Sequence, residues 1–231
     1  MSRFDVQWRL LAPGIWTLDQ PFEMPGRMQI GTRSTLVRLA DQSLWLHSPG
    51  PAVRQSAEWL RQQGEVAHIV APNAFHHLFM PEVAELFPAA TPWGPRALQR
   101  KQPRLQLSLL GAETPPAWQP GLTAHAVQGL KLRETVFFHA DSQTLIVTDL
   151  LFHLFPKDLP TRILTTLMGT RNRLACSRLV RLALEDRQQL QASLEQILSW
   201  PFERVLMAHG EILESADATD KVKAAMAWLR A

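Results

Sequence analysis

A mixed α/β fold, two β-sheets flanked by helices, is what this sequence predicts, on three observations. Hydrophobic residues make up 46% of the 231 positions and charged ones 19%, which favours a packed core over disorder. Short β-rich runs alternate with helical runs, in two successive blocks of strands that each carry helices. A single doubly wound parallel sheet would set helices more regularly between strands, so two packed mixed sheets fit the order better. The length suits one domain over residues 1–231.

In the first block, alternating apolar residues between turn signals predict strands at 14–18, 34–38 and 43–47. Ser48-Pro49-Gly50 ends the third and opens a helix. There Pro51 suits a first turn, Val53, Ala57 and Leu60 follow at helical spacing, and Gly64 stops the run. A buried strand at 68–71, a loop at 72–77 and a short helix at 81–87 come next. The proline-rich stretch 88–121 reads as a surface connection holding one or two short elements. In the second block, strands are expected at 122–127, 135–139 and 145–148, with a hairpin turn at 140–143. A helical insertion at about 157–200, broken near Gly169, leads to a last strand at 204–207 and a closing helix at 218–229.

Composition narrows function. Cys176 is the only cysteine, which excludes an internal disulfide framework and a cysteine-built metal cluster. Arg3, Asp5 and Arg9 interrupt the opening residues, so no secretory leader is expected. No window approaches the roughly 18 apolar residues of a membrane span, so the expectation is a cytoplasmic protein with no membrane partner. A formal charge of +3 is too small by itself to imply nucleic acid.

The richest constellation is His76-His77, Asp149 and His209, each just past the end of an expected strand. Strand ends converge at one edge of a sheet, so groups distant in sequence can meet there. Three imidazoles and a carboxylate make a credible set for one divalent metal. Singly, each has an ordinary reading: a polar loop for the histidine pair, a cap for Asp149, a strand-ending turn for His209-Gly210.

The order of these pieces resembles the metallo-β-lactamase superfamily, over roughly residues 12–212. That family has an early strand ending in a small turn, matched here by Leu44-Trp45-Leu46-His47-Ser48-Pro49-Gly50. Its Thr-His-x-His-x-Asp-His motif aligns without a gap on the segment from Ile69 through Pro72-Asn73-Ala74-Phe75 to His76-His77. Its Gly-Asp-Leu-Leu-Phe run is matched by Thr148-Asp149-Leu150-Leu151-Phe152, and its late histidine by Ala208-His209-Gly210. The resemblance implies a four-layer αββα sandwich and an uncharacterised branch with a degenerate metal site. Two of the three histidines of the family's first metal are Pro72 and Ala74 here, and the third falls near Leu130. The second-metal positions are His76, His77, Asp149 and His209, with histidine where the family has aspartate at 76.

On that resemblance the first expectation is a mononuclear metal-dependent hydrolase acting on an ester, amide or phosphoester of a small-molecule or anionic substrate. Asp149 and His76 are its catalytic candidates; zinc is the first metal considered, iron or manganese the alternatives. A non-catalytic or regulatory binding module, with or without metal, and a single-Fe/Mn oxidoreductase stand beside it. No organic cofactor site and no nucleic-acid partner are expected, and the oligomeric state is open. His153, four after Asp149, would share its face if that segment were helical. Asn73 either contacts a ligand or holds its own turn. His47, His68, His125 and His139 are read as structural, and Cys176 as a core residue. Arg171, Arg178 and Arg181, with Arg173 beside them, form a basic strip: a solvated face, or an anion-binding one.

Overall fold

The computed structural model describes residues 7–230, so Arg3 and Asp5 lie outside the described residues. Contacts among the described residues cluster into two compact units, residues 7–20 with 33–110, and residues 21–32 with 111–230.

The first unit is built on a seven-stranded mixed sheet, in the spatial order Arg9–Ala12, Ile15–Gln20, Thr32–Arg38, Leu44–His47, Val66–Val70, Thr91–Gly94 and Ser108–Leu109. From Leu44–His47 onward the neighbours run parallel. Parallel pairs need crossovers, and these are supplied by the helices Ala57–Gln63, Met80–Leu86 and Arg96–Lys101. Leu36, Leu44, Leu46, Leu60, Ile69, Met80 and Leu98 form its buried core.

Two expectations change here. The proline-rich stretch completes the sheet instead of crossing the surface: Pro92 sits opposite Ile69 within an interior strand. Proline lacks a ladder donor, so its presence argued against a strand; two parallel neighbours hold it there regardless. An additional first strand, Arg9–Ala12, pairs antiparallel with Ile15–Gln20.

The second unit carries a five-stranded sheet in the order Leu122–Ala126, Thr135–His139, Thr144–Ile146, Arg204–Leu206 and Leu213–Glu214. Only the Thr144–Ile146 and Arg204–Leu206 pair is parallel, so this sheet is mixed too. Its crossover is the expected helical insertion, in three helices: Leu159–Met168, Arg178–Leu182 and Arg187–Leu198. Side chains start each one, with Asp158, Ser177 and Asp186 accepting the N–H of Thr161, Val180 and Gln189. Gly169, at φ +73, ends the first in the left-handed conformation that glycine adopts freely. The insertion is not wholly helical, because Leu174–Ala175 pairs as a strand with Phe152–His153. No helix among the described residues is long and apolar enough to cross a membrane.

Candidate metal centre

In the first unit, His76 and His77 sit on the loop after Val66–Val70. Asn73 is fully buried, and its Oδ1 accepts the N–H of Phe75 at 2.8 Å and of His76 at 3.1 Å. Asn73 therefore holds the turn, the second of the two readings its sequence allowed. Ser48, at φ +50, places its Oγ 2.6 Å from His76 Nδ1. The Ser48 turn is itself fixed. Ser34 Oγ donates to the Ser48 carbonyl and accepts from Gly50 N and Gln20 Nε2, while Gln20 Oε1 accepts from Ala52 N. The early turn of the sequence thus meets His76.

His77 differs. Its Nδ1 accepts from Gln102 Nε2 at 3.1 Å, which puts the proton of a neutral ring on Nε2. A half-turn of the Gln102 amide would reverse those roles, as a metal on Nε2 would require. Burial, and then the charge of Lys101, lower the His77 pKa, so neutrality is favoured. His47 is buried against Trp45, with ring centroids 5.2 Å apart. Burial above all, with the charge of His76, pulls it down to about 3. Pro72 and Ala74 bring no ligating side-chain atom to this loop.

In the second unit, Asp149 and His209 come together. Asp149 follows the strand Thr144–Ile146, on a turn organised by Glu134. Glu134 is 1% exposed, and its carboxylate accepts three successive N–H groups, of Thr148 at 2.7 Å, Asp149 at 2.8 Å and Leu150 at 3.1 Å. Burial, then the Asp149 carboxylate, raise the Glu134 pKa, and the Thr148 and Asp149 N–H groups restrain that rise. Sequence reasoning missed Glu134. Its only signal was an acidic residue abutting the apolar strand Thr135–His139, all of which is buried.

His209 follows the strand Arg204–Leu206 and stacks on Phe152 at 5.7 Å. Its Nδ1 lies 2.7 Å from the Gly31 carbonyl. A carbonyl only accepts, so Nδ1 carries a proton and Nε2 is the ring nitrogen left to turn toward a ligand. That Nε2 is 3.6 Å from Asp149 Oδ1. An imidazole nitrogen and a carboxylate oxygen at this distance can share a proton or a cation. A backbone carbonyl behind a histidine that offers its other nitrogen is the usual support of a metal ligand. The donor set therefore fits a divalent cation.

The loop after His209 has little freedom. Gly210 adopts φ +96, and a Cβ there would come within 2.1 Å of the His153 carbonyl oxygen. That carbonyl accepts from Glu211 N, and His153 N donates to the His209 carbonyl. His153 itself lies in the strand Phe152–His153, not a helix, so it does not share a helical face with Asp149. Its ring is engaged with the Glu211 carbonyl and Phe155.

The remaining histidines and Cys176 sit in structural surroundings, as expected. Trp93 Nε1 donates to His68, His125 packs edge-on against Trp200, and His139 bonds Ser142 Oγ. Cys176 is buried, which drives its thiol up to about 12, away from reactivity. Leu130 is core. The basic strip is not one helical face, since only Arg178 and Arg181 are helical. Arg173 and Arg178 donate instead to the Gly169 and Leu167 carbonyls at the C-terminus of Leu159–Met168, where cations are favoured.

A family model described as a domain of unknown function, DUF4336, matches residues 13–175. The chain belongs to the DUF4336 family. No curated protein matches this DUF4336 chain in sequence. Among solved structures it is similar to the metal-soaked Flv1 flavodiiron core from Synechocystis sp. PCC6803, with TM-score 0.70 and 14% identity, covering 98% of this chain and 61% of that one. A putative diflavin flavoprotein A 5 fragment from Nostoc sp. PCC 7120 gives TM-score 0.70 at 13% identity, with 98% and 97% covered. The DIM-1 metallo-β-lactamase exposed to ceftazidime gives TM-score 0.68 at 11% identity, with 96% and 97% covered. The chain spans about 61% of the length of the flavodiiron core. This DUF4336 member has the metallo-β-lactamase fold, as its motif order implied.

Proposed function

We propose that this protein is a mononuclear metal-dependent hydrolase of the metallo-β-lactamase superfamily with a reduced metal site. The ligands in this reading are His76, His77, Asp149 and His209, with zinc as the first metal. The observation that supports it most is the Asp149–His209 pair, in which the Gly31 carbonyl takes the Nδ1–H and leaves Nε2 3.6 Å from the Asp149 carboxylate. A divalent cation supplies Lewis acidity toward a carbonyl or phosphoryl oxygen and makes water more acidic. The chain's own groups do the rest. Asp149, held at its backbone by Glu134, accepts a hydrogen bond from the attacking water and keeps it aimed. His76 Nδ1 lies 2.6 Å from Ser48 Oγ, so with Nε2 on the metal its Nδ1–H would donate there and hold the ring in place, while the Asp149 carboxylate takes the proton that this water loses.

The absence of ligating atoms at Pro72, Ala74 and Leu130 supports one metal instead of two. The same absence favours a second reading, a metal-holding module without turnover. A flavodiiron core among the similar structures makes iron the second candidate metal.

The test is hydrolysis of p-nitrophenyl acetate, bis(p-nitrophenyl) phosphate and a chromogenic amide, before and after chelation. At least one should be cleaved, lose its rate on chelation and regain it with zinc, and Asp149→Asn should abolish it. Metal retained with no turnover of any of the three would select the binding module.

A further inference from the structure

The second unit holds an open cavity of about 650 Å³, within the usual range for small-molecule sites and lined by neither Asp149 nor His209. Arg173, Arg181 and Lys221 line it together with Trp228, Leu174 and Leu213. No acidic residue is among the lining, although the whole chain has 21 acidic to 24 basic residues. Lys221 is paired with Asp217 at 2.8 Å. The two guanidinium groups, by contrast, are spent on backbone carbonyls: Arg173 gives Nε and Nη2 to Gly169, and Arg181 gives Nε to Cys176. A guanidinium has five N–H donors, so each keeps some for a ligand. Arg181 also lies over the Trp228 ring, 5.4 Å from its centroid, which fixes the plane of the fork. The cavity thus combines two cations without carboxylate partners among the described residues and an apolar wall.

We propose that this cavity binds an amphipathic anion: an oxyanion head, carboxylate or phosphate, on an apolar body. The head meets the free N–H groups of Arg173 and Arg181, where two like charges in a recess focus a positive field. The body lies along Leu174, Leu213 and the Trp228 ring.

Isothermal titration of the full-length protein tests this, using octanoate, octyl phosphate, inorganic phosphate and neutral octanol as probes. Octanoate or octyl phosphate should bind at least about tenfold tighter than octanol, a difference that one charge-assisted hydrogen bond supplies. The stronger of the two names the head group. Arg181→Gln should weaken it about tenfold, and Ala224→Trp, which fills the cavity from the helix Ala218–Ala225, should abolish it. Chelated protein and His209→Ala should bind as wild type does, which keeps this site separate from the metal reading. Equal binding of octanol and octanoate, tighter binding of inorganic phosphate alone, indifference to Ala224→Trp, or loss in His209→Ala would each overturn the proposal.

Discussion

Glu134 organises the Asp149 turn, because one buried carboxylate satisfies three consecutive amides. Glu134→Gln would turn an amide NH2 toward those donors and leave at least one unpaired. We expect a loss of about 2 kcal/mol in chemical denaturation, and a weaker hold on metal because the Asp149 turn loosens. Unchanged stability would remove Glu134 from the account. At Gly210 the objection to any side chain is steric as well as conformational, with φ +96 and the His153 carbonyl within 2.1 Å of a new Cβ. Gly210→Ala should lower stability by about 3 kcal/mol or more and displace His209.

His47 gives the pH dependence a sign. Its pKa falls from 6.5 to about 3 on folding, so between those values the unfolded chain binds a proton that the folded chain refuses. Stability is complete above about 6.5 and falls by roughly 1.4 kcal/mol per pH unit below it. Denaturation at pH 7 and pH 5 should show this loss in wild type, and a smaller one in His47→Gln. Equal losses would show that burial does not suppress this histidine's protonation.

At the scale of elements, local signals were read well where pattern and structure agree. The strand Thr135–His139 coincides with its expected bounds, and Gly64 and Gly169 end helices where the sequence placed stops. The failures share a physical cause. Thr91–Gly94 contains proline, and Leu174–Ala175 and Leu213–Glu214 have two residues each, too short to show a period. Only sheet neighbours make these strands. The helix caps were not read from the sequence: Ser177, buried, starts Arg178–Leu182 by accepting from Val180 N at 3.2 Å. Ser177→Ala should cost about 1 kcal/mol, measured by thermal denaturation; no change would mean that packing alone sets this helix start.

At the scale of the molecule, the fold was legible because four motifs occur in order, whatever their separate ambiguity. The candidate site was legible in part. That Asp149 and His209 would meet was expected from their strand ends and they lie 3.6 Å apart, whereas Glu134 and Gly31 were not foreseen, since a buried carboxylate and a carbonyl acceptor leave no motif. That residues 1–231 form one domain is our proposal, and it implies a single unfolding transition with tryptophan fluorescence and circular dichroism coincident. Two separated transitions would contradict it.

Metal analysis of protein purified without added zinc bears most directly on the central claim. We expect about one divalent ion per chain, with His209→Ala and Asp149→Asn nearly empty and His153→Ala filled as wild type. A metal-free wild type, or equal loss in His153→Ala, would contradict it.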